Sequence, residues 1–143
     1  MKDQFVKDWM SPEPVIIAPN QSLPEAHALM KESQVRRLPV VDAGKLVGII
    51  SLSDVLEAEP SNANSLSIFE LNYLLARLSV AEIMTKHPIS VGPMTPLAEA
   101  AQIMLQKKIG GLPVVDNNML VGIITESDIF RALVRLMEAS PVA

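Results

Sequence analysis

A chain that matches itself is constrained to build two similar parts, and this chain does so. Sliding its 143 residues by 74 positions lays Leu38-Pro39-Val40-Val41-Asp42 on Leu112-Pro113-Val114-Val115-Asp116. The same shift lays Leu46-Val47-Gly48-Ile49-Ile50 on Leu120-Val121-Gly122-Ile123-Ile124, and Ser53-Asp54 on Ser127-Asp128. Without a gap, 20 of the 51 positions from 6 to 56 are identical to their counterparts. Chance agreement at one fixed register would be a few. The chain therefore carries a duplicated unit of about 50 residues in two copies.

Both copies change hydrophobic period in the same places. Val15-Ile16-Ile17 and Ile89-Ser90-Val91 each sit between prolines and predict a short strand. Ser22-Leu23-Pro24-Glu25 predicts a capping box with proline in the first turn. Leu23, Ala26, Leu29 and Met30 then recur at helical spacing. Two apolar runs, 38–41 and 46–50, flank Asp42-Ala43-Gly44-Lys45 and predict a hairpin, with Gly44 supplying the permissive backbone. In the second copy Asn117-Asn118 takes that place, since Asn tolerates a left-handed conformation. Ser53-Asp54-Val55-Leu56 opens a closing helix with Ser or Asp as its cap. The predicted fold class is thus mixed α/β (α+β), with two βαββα repeats packed about a pseudo-two-fold axis. The first repeat is placed at 1–56, a linker with an amphipathic helix at 57–79, and the second repeat with a C-terminal helix at 80–143. One small sheet cannot bury both faces by itself, and grooves between the copies are the expected ligand sites.

In the linker, Glu59-Pro60-Ser61-Asn62-Ala63-Asn64 reads as polar turn material. Ser67-Ile68-Phe69-Glu70 predicts a second capping box, opening a helix with an apolar stripe of Ile68, Leu71, Leu74, Leu75 and Leu78. That stripe either packs a connector on the domain or forms a dimerisation or partner surface. Segment 129–137 is amphipathic as well. Together the stripes predict a homodimer and offer a surface for an unidentified protein partner.

Composition narrows the function classes. Hydrophobic residues make up 49% and charged residues 20%, a globular balance. A formal net charge of −4 argues against a nucleic-acid binder, which needs a basic face. With no cysteine, thiol catalysis and Cys-based zinc sites are excluded. The two histidines, His27 and His87, stand in unrelated surroundings, and no metal site is expected. No apolar run approaches the roughly 20 residues of a membrane span, and no secretory signal opens the chain. A cytoplasmic protein is expected. No nucleophile–base–orienter set and no Walker phosphate loop is visible, so no enzyme is expected.

The repeated run of Met-Ser/Thr, Pro, short strand, helix, Leu-Pro-Val-Val-Asp and Gly-Ile-Ile-Ser/Thr-x-Ser-Asp resembles a CBS domain. Two in tandem resemble a CBS pair, or Bateman module, over about residues 4–138. Segment 65–78 further resembles the linker of bacterial stand-alone CBS-pair proteins of the acetoin-utilisation protein B-like group. The resemblance implies a βαββα fold, a regulatory role without catalysis, and binding of AMP, ADP, ATP, S-adenosylmethionine or NAD, with no obligatory cofactor.

The family's nucleotide signature, Gly-h-x-Ser/Thr-x-x-Asp with h apolar, occurs at Gly48 to Asp54 and at Gly122 to Asp128. A carboxylate can accept hydrogen bonds from both ribose hydroxyls. A hydroxyl three residues earlier, Ser51 or Thr125, can donate to a phosphate, and a following helix start presents backbone N–H groups to an anion. From spacing alone, Asp54 and Asp128 could equally be helix caps. The resemblance also implies composite clefts. One would combine Ser51 and Asp54 with Thr85, Ile89 and Ile109. The other would combine Thr125 and Asp128 with Ser11, Val15 and Val35.

The two clefts are expected to differ. Arg36 and Arg37 precede Leu38-Pro39, whereas Gly110 and Gly111 precede Leu112-Pro113. Arginine suits phosphate through its planar fork, so the Asp54 cleft is expected to hold phosphorylated nucleotide more tightly. The Asp128 cleft lacks that charge, has Glu126 nearby, and is expected to be empty or to take a less anionic adenosyl compound. The alternative to a ligand sensor is a structural interaction module with vestigial clefts.

Overall fold

The computed structural model describes residues 4–58 and 67–139. Its first elements are α1 (Val6–Trp9), β1 (Ser11–Pro12), α2 (Leu23–Ser33), β2 (Arg37–Asp42), β3 (Lys45–Ser51) and α3 (Leu52–Ala58). They are followed by α4 (Ile68–Arg77), α5 (Val80–Ile83), β4 (Thr85–Lys86), α6 (Leu97–Lys107), β5 (Gly111–Asp116), β6 (Met119–Thr125) and α7 (Glu126–Ala139). The class is mixed α/β, with antiparallel hairpins and a long helix in each copy.

The compact units do not follow the repeats. Unit I is Val15–Pro88, and unit II is Met1–Pro14 together with Ile89–Ala143. Each copy's leading segment has changed partners. In unit I, β2 pairs with β3, and β3 takes β4 on its other side, with Ile49 opposite Thr85. In unit II, β5 pairs with β6, and β6 takes β1, with Ser11 opposite Ile123. Backbone bonds fasten the exchanged segments: Val80 N–H to Gln21 O at 2.7 Å in unit I, Leu97 N–H to Gln4 O at 2.8 Å in unit II.

Each unit has its own core, and eight of the nine buried positions correspond in the repeat register, Val55 of unit I and Ala132 of unit II being the exceptions. Unit I buries Ile17, Leu23, Ala26, Met30, Leu38, Val40, Ile50, Val55 and Val80. Unit II buries Val6, Val91, Leu97, Ala100, Met104, Leu112, Val114, Ile124 and Ala132. The alternation that buries Leu38, Val40 and Ile50 leaves Arg37, Ile49 and Ser51 on the opposite face of the same hairpin.

The short strand expected at 15–17 shrinks to one bridge, Ile17 to Val40, and that at 89–91 to Val91 with Val114. Prolines explain this. Ile17 N–H donates to Pro39 O at 3.1 Å and Val41 N–H to Ile17 O at 2.9 Å. The next bond toward Val15 would need an N–H on Pro39, and the next beyond Ile17 one on Pro19; neither exists. Pro113 and Pro93 truncate the second copy likewise, so Val15, Ile16 and Ile89 stay exposed.

Left-handed residues also recur at the repeat distance, whatever their identity: Glu13 with His87, Gln34 with Lys108, Ala43 with Asn117, and Gly44 with Asn118. At the two-residue hairpin, positive φ at both central positions is the type I′ geometry that fits the twist of the strands. Ala43 holds φ 52° there, which an alanine disfavours by about 1–2 kcal/mol. Ala43→Gly or Ala43→Asn is expected to raise the thermal midpoint by roughly 2–4 °C, and Asn117→Ala to lower it similarly. Thermal unfolding of the three variants checks this.

Both expected serine caps form, and each serine hydroxyl in turn donates to the glutamate carboxyl three residues on. Glu25 N–H donates to Ser22 Oγ at 3.3 Å, and Glu70 N–H to Ser67 Oγ at 3.2 Å. The Gln21 amide, and then the Ser22 hydroxyl, hold the Glu25 carboxyl below the usual carboxylate range. A lowered folded-state value stabilises above the unfolded pKa, and the contribution is lost as acid protonates Glu25. The polar turn at 59–64 and the side chains of Ile68, Leu71, Leu74 and Leu75 lie outside the described residues. Leu78 packs against the unit I core. Among the described residues, no helix is long and apolar enough to cross a membrane.

Candidate functional site

In unit I the signature lies where β3 ends and α3 begins without a loop. Ser51 is the last strand residue and Leu52 the first helical one. A helix start leaves N–H groups without partners, and here two side chains answer reciprocally. Asp54 N–H donates to Ser51 Oγ at 3.1 Å, while Ser51 N–H donates to Asp54 Oδ2 at 2.8 Å. The carboxylate thus does cap the junction, but through one oxygen. Among the described residues no cation pairs with it.

The arginines flank this junction. Arg37 stands opposite Ser51 in the hairpin register, and the Arg36 carbonyl accepts Leu52 N–H at 2.8 Å. Thr85 stands opposite Ile49, two residues before Ser51, so Arg37, Ser51, Ile49 and Thr85 share one sheet face. Arg36 is exposed and Arg37 half-buried. The backbone of both arginines thus adjoins the junction, with Arg37 on the Ser51 face of the hairpin.

Unit II repeats the arrangement with a different outcome. Thr125 N–H and Thr125 Oγ1 both donate to Asp128 Oδ2, at 2.9 and 3.2 Å. The other oxygen, Oδ1, accepts from Arg131 at 2.5 Å. Asp128 is only 2% exposed. Sequence reasoning missed Arg131. Its signal was present, because the repeat register sets Arg131 against Glu57 and places it one helical turn after Asp128. Ser11 shares the unit II face with Ile123 and Thr125, and Gly111 stands opposite Thr125.

The remaining expected contacts divide by unit. Val15 and Val35 belong to unit I and Ile89 and Ile109 to unit II. Val35 packs on the unit I core and Ile109 on the unit II core. An open groove of about 610 Å³ in unit II is lined by Ser90, Thr95, Glu99, Asn117 and Asn118. It lies at the hairpin end of β6, away from Thr125 and Asp128. Among the described residues, no group of three or more His, Cys, Asp or Glu could hold a metal ion.

This geometry has close parallels. The chain matches a putative acetoin utilization protein (AcuB) from Vibrio cholerae with 35% identity and a TM-score of 0.79, covering 96% of this chain and 98% of that one. The CBS domain pair of protein MJ0100, solved in complex with 5'-methylthioadenosine and S-adenosyl-L-methionine, is 31% identical with a TM-score of 0.79, over 94% and 99% of the two chains. CBSX2 from Arabidopsis thaliana, solved in complex with AMP, is 32% identical with a TM-score of 0.78, over 93% and 98%. The CBS domain family model matches residues 6–61 and again residues 80–135. The chain belongs to the CBS domain family and carries that domain twice.

Proposed function

We propose that the chain is a regulatory ligand-sensing module that binds adenosine-containing nucleotides of the AMP, ADP and ATP class and controls a partner protein. The observation that carries this reading is the strand–helix junction of unit I. There Asp54 is half-buried and uses Oδ2 on Ser51 N–H, while Arg37 stands opposite Ser51 in the hairpin and the Arg36 carbonyl accepts Leu52 N–H. In this reading Asp54 accepts from the ribose hydroxyls. Ser51, the first turn of α3 and the two arginines take the phosphate. Thr85 and, in unit II, Ser11 add hydroxyls from the adjacent strand. The complexes of CBSX2 with AMP and of MJ0100 with S-adenosylmethionine support an adenosyl ligand.

The second reading, an assembly module, is favoured by α7. Phe130, Leu133, Val134 and Met137 are spaced as one helical stripe and all are at least half exposed. This stripe is where we place a homodimer contact.

Thermal shift with AMP, ATP, S-adenosylmethionine and NAD separates the two readings. A ligand at 100 times its Kd stabilises by about 2.7 kcal/mol, so at least one compound is expected to raise the midpoint by several degrees. No rise with any of the four would overturn the sensor and leave the assembly module.

A further inference from the structure

We propose that Arg131 is a built-in competitor for the Asp128 carboxylate. It weakens ribose binding in unit II and has no counterpart in unit I. The inference rests on the adenosyl-ligand reading and adds the reason why the two signatures respond differently.

Both oxygens of Asp128 are engaged: Oδ2 by Thr125 N–H and Oγ1, Oδ1 by Arg131. The carboxylate is buried, while the Arg131 side chain is 63% exposed. A vicinal diol uses both oxygens at once, so the guanidinium on Oδ1 competes with it for that acceptor. Arg131 can leave, because its side chain is already mostly exposed and swings out without being buried. What is lost is a charge-assisted hydrogen bond to a desolvated anion, and two neutral hydroxyls only partly replace it. The apparent affinity therefore falls by the strength of the displaced contact.

Unit I lacks this contact at every step. Glu57 holds the Arg131 position, one turn after Asp54, and carries the opposite charge. Asp54 is half-buried and gives Oδ2 to Ser51 N–H. The duplication thus left one acid open and the other already occupied by its own helix.

The test uses adenosine, which has the diol but no phosphate for a released arginine to meet. Calorimetric titration compares Asp54→Asn with Asp54→Asn/Arg131→Met, so that only unit II retains its acid. It then compares Asp128→Asn with Asp128→Asn/Glu57→Arg, which transplants the competitor into unit I. Arg131→Met is expected to strengthen adenosine binding roughly tenfold or more, and Glu57→Arg to weaken it by a similar factor. Arg131→Gln, which keeps a neutral donor, should fall between wild type and Met, and it serves if the Met variant does not fold. Unchanged or weaker binding on loss of Arg131, or no effect of Glu57→Arg, overturns the competitor while leaving the adenosyl reading intact. No adenosine binding by any of these chains overturns the competitor, and the adenosyl reading falls with it if AMP also fails to bind the wild-type chain.

Discussion

Gly48→Ala and Gly122→Ala are each expected to lower the thermal midpoint by about 5–10 °C, corresponding to roughly 2–3 kcal/mol. Both glycines belong to the nucleotide signature, yet their side of the strand faces protein. A Cβ on Gly48 would overlap the Met84 sulfur and stand 2.9 Å from the Thr85 carbonyl. At Gly122 it would lie 2.6 Å from Met10 Sδ and 2.9 Å from the Ser11 carbonyl. The methionine tips can move, but the carbonyls belong to β4 and β1, so trimming Met84 or Met10 would not rescue the variant. The exchanged strand must lift instead, carrying Thr85 or Ser11 with it. Gly92→Ala is the control. Its Cβ would meet Thr95 Oγ1 at 3.7 Å, an ordinary contact, and the midpoint should hardly move. Thermal unfolding of the three variants decides, and an unchanged midpoint for Gly48→Ala would mean that β4 does not need to approach β3 so closely.

This result bears on what the residues alone could convey. The repeat, the helix at 23–33, its Ser22 cap and the hairpin at 38–50 were legible, because each depends on local spacing and turn chemistry. The exchange of leading segments was not. Self-similarity reports what was duplicated, not which copy a strand pairs with, and Val6 and Val80 are identical residues that fill each other's cores. The clue lay in Gly48 and Gly122, which require a close neighbour without saying whose. Ala43 at positive φ was hidden for the opposite reason, since the hairpin's twist overrides a residue that disfavours it. The chemistry was legible as residue types: Ser51, Asp54, Thr125 and Asp128 all stand at strand–helix junctions. Their inequality was read from Arg36 and Arg37. The larger local contrast sits one turn later, at Glu57 and Arg131, where the copies differ in sign.

Replacing the unit I acid without disturbing its cap should therefore separate fold from function. Asp54→Asn keeps a side-chain oxygen for Ser51 N–H, so α3 retains its start and the stability should stay within about 0.5 kcal/mol of wild type. The charge is gone, and hydrogen bonds from the ribose hydroxyls to a neutral amide are weaker than those to a carboxylate. AMP affinity is expected to fall by about 10- to 100-fold. Asp54→Ala should show the same loss of affinity and a further cap cost of roughly 1 kcal/mol. Asp128→Asn should cost AMP binding much less, because Arg131 already occupies that acid and no arginine pair flanks Thr125. Calorimetric titration with AMP, with midpoints measured on the same samples, checks the set. If Asp54→Asn bound AMP as wild type does, Asp54 would be a helix cap and nothing more. Equal losses from Asp54→Asn and Asp128→Asn would mean that the charge difference between the copies does not reach the ligand. Loss confined to Asp54→Asn would identify Arg36 and Arg37 as the next residues to remove, each expected to weaken AMP while leaving adenosine unaffected.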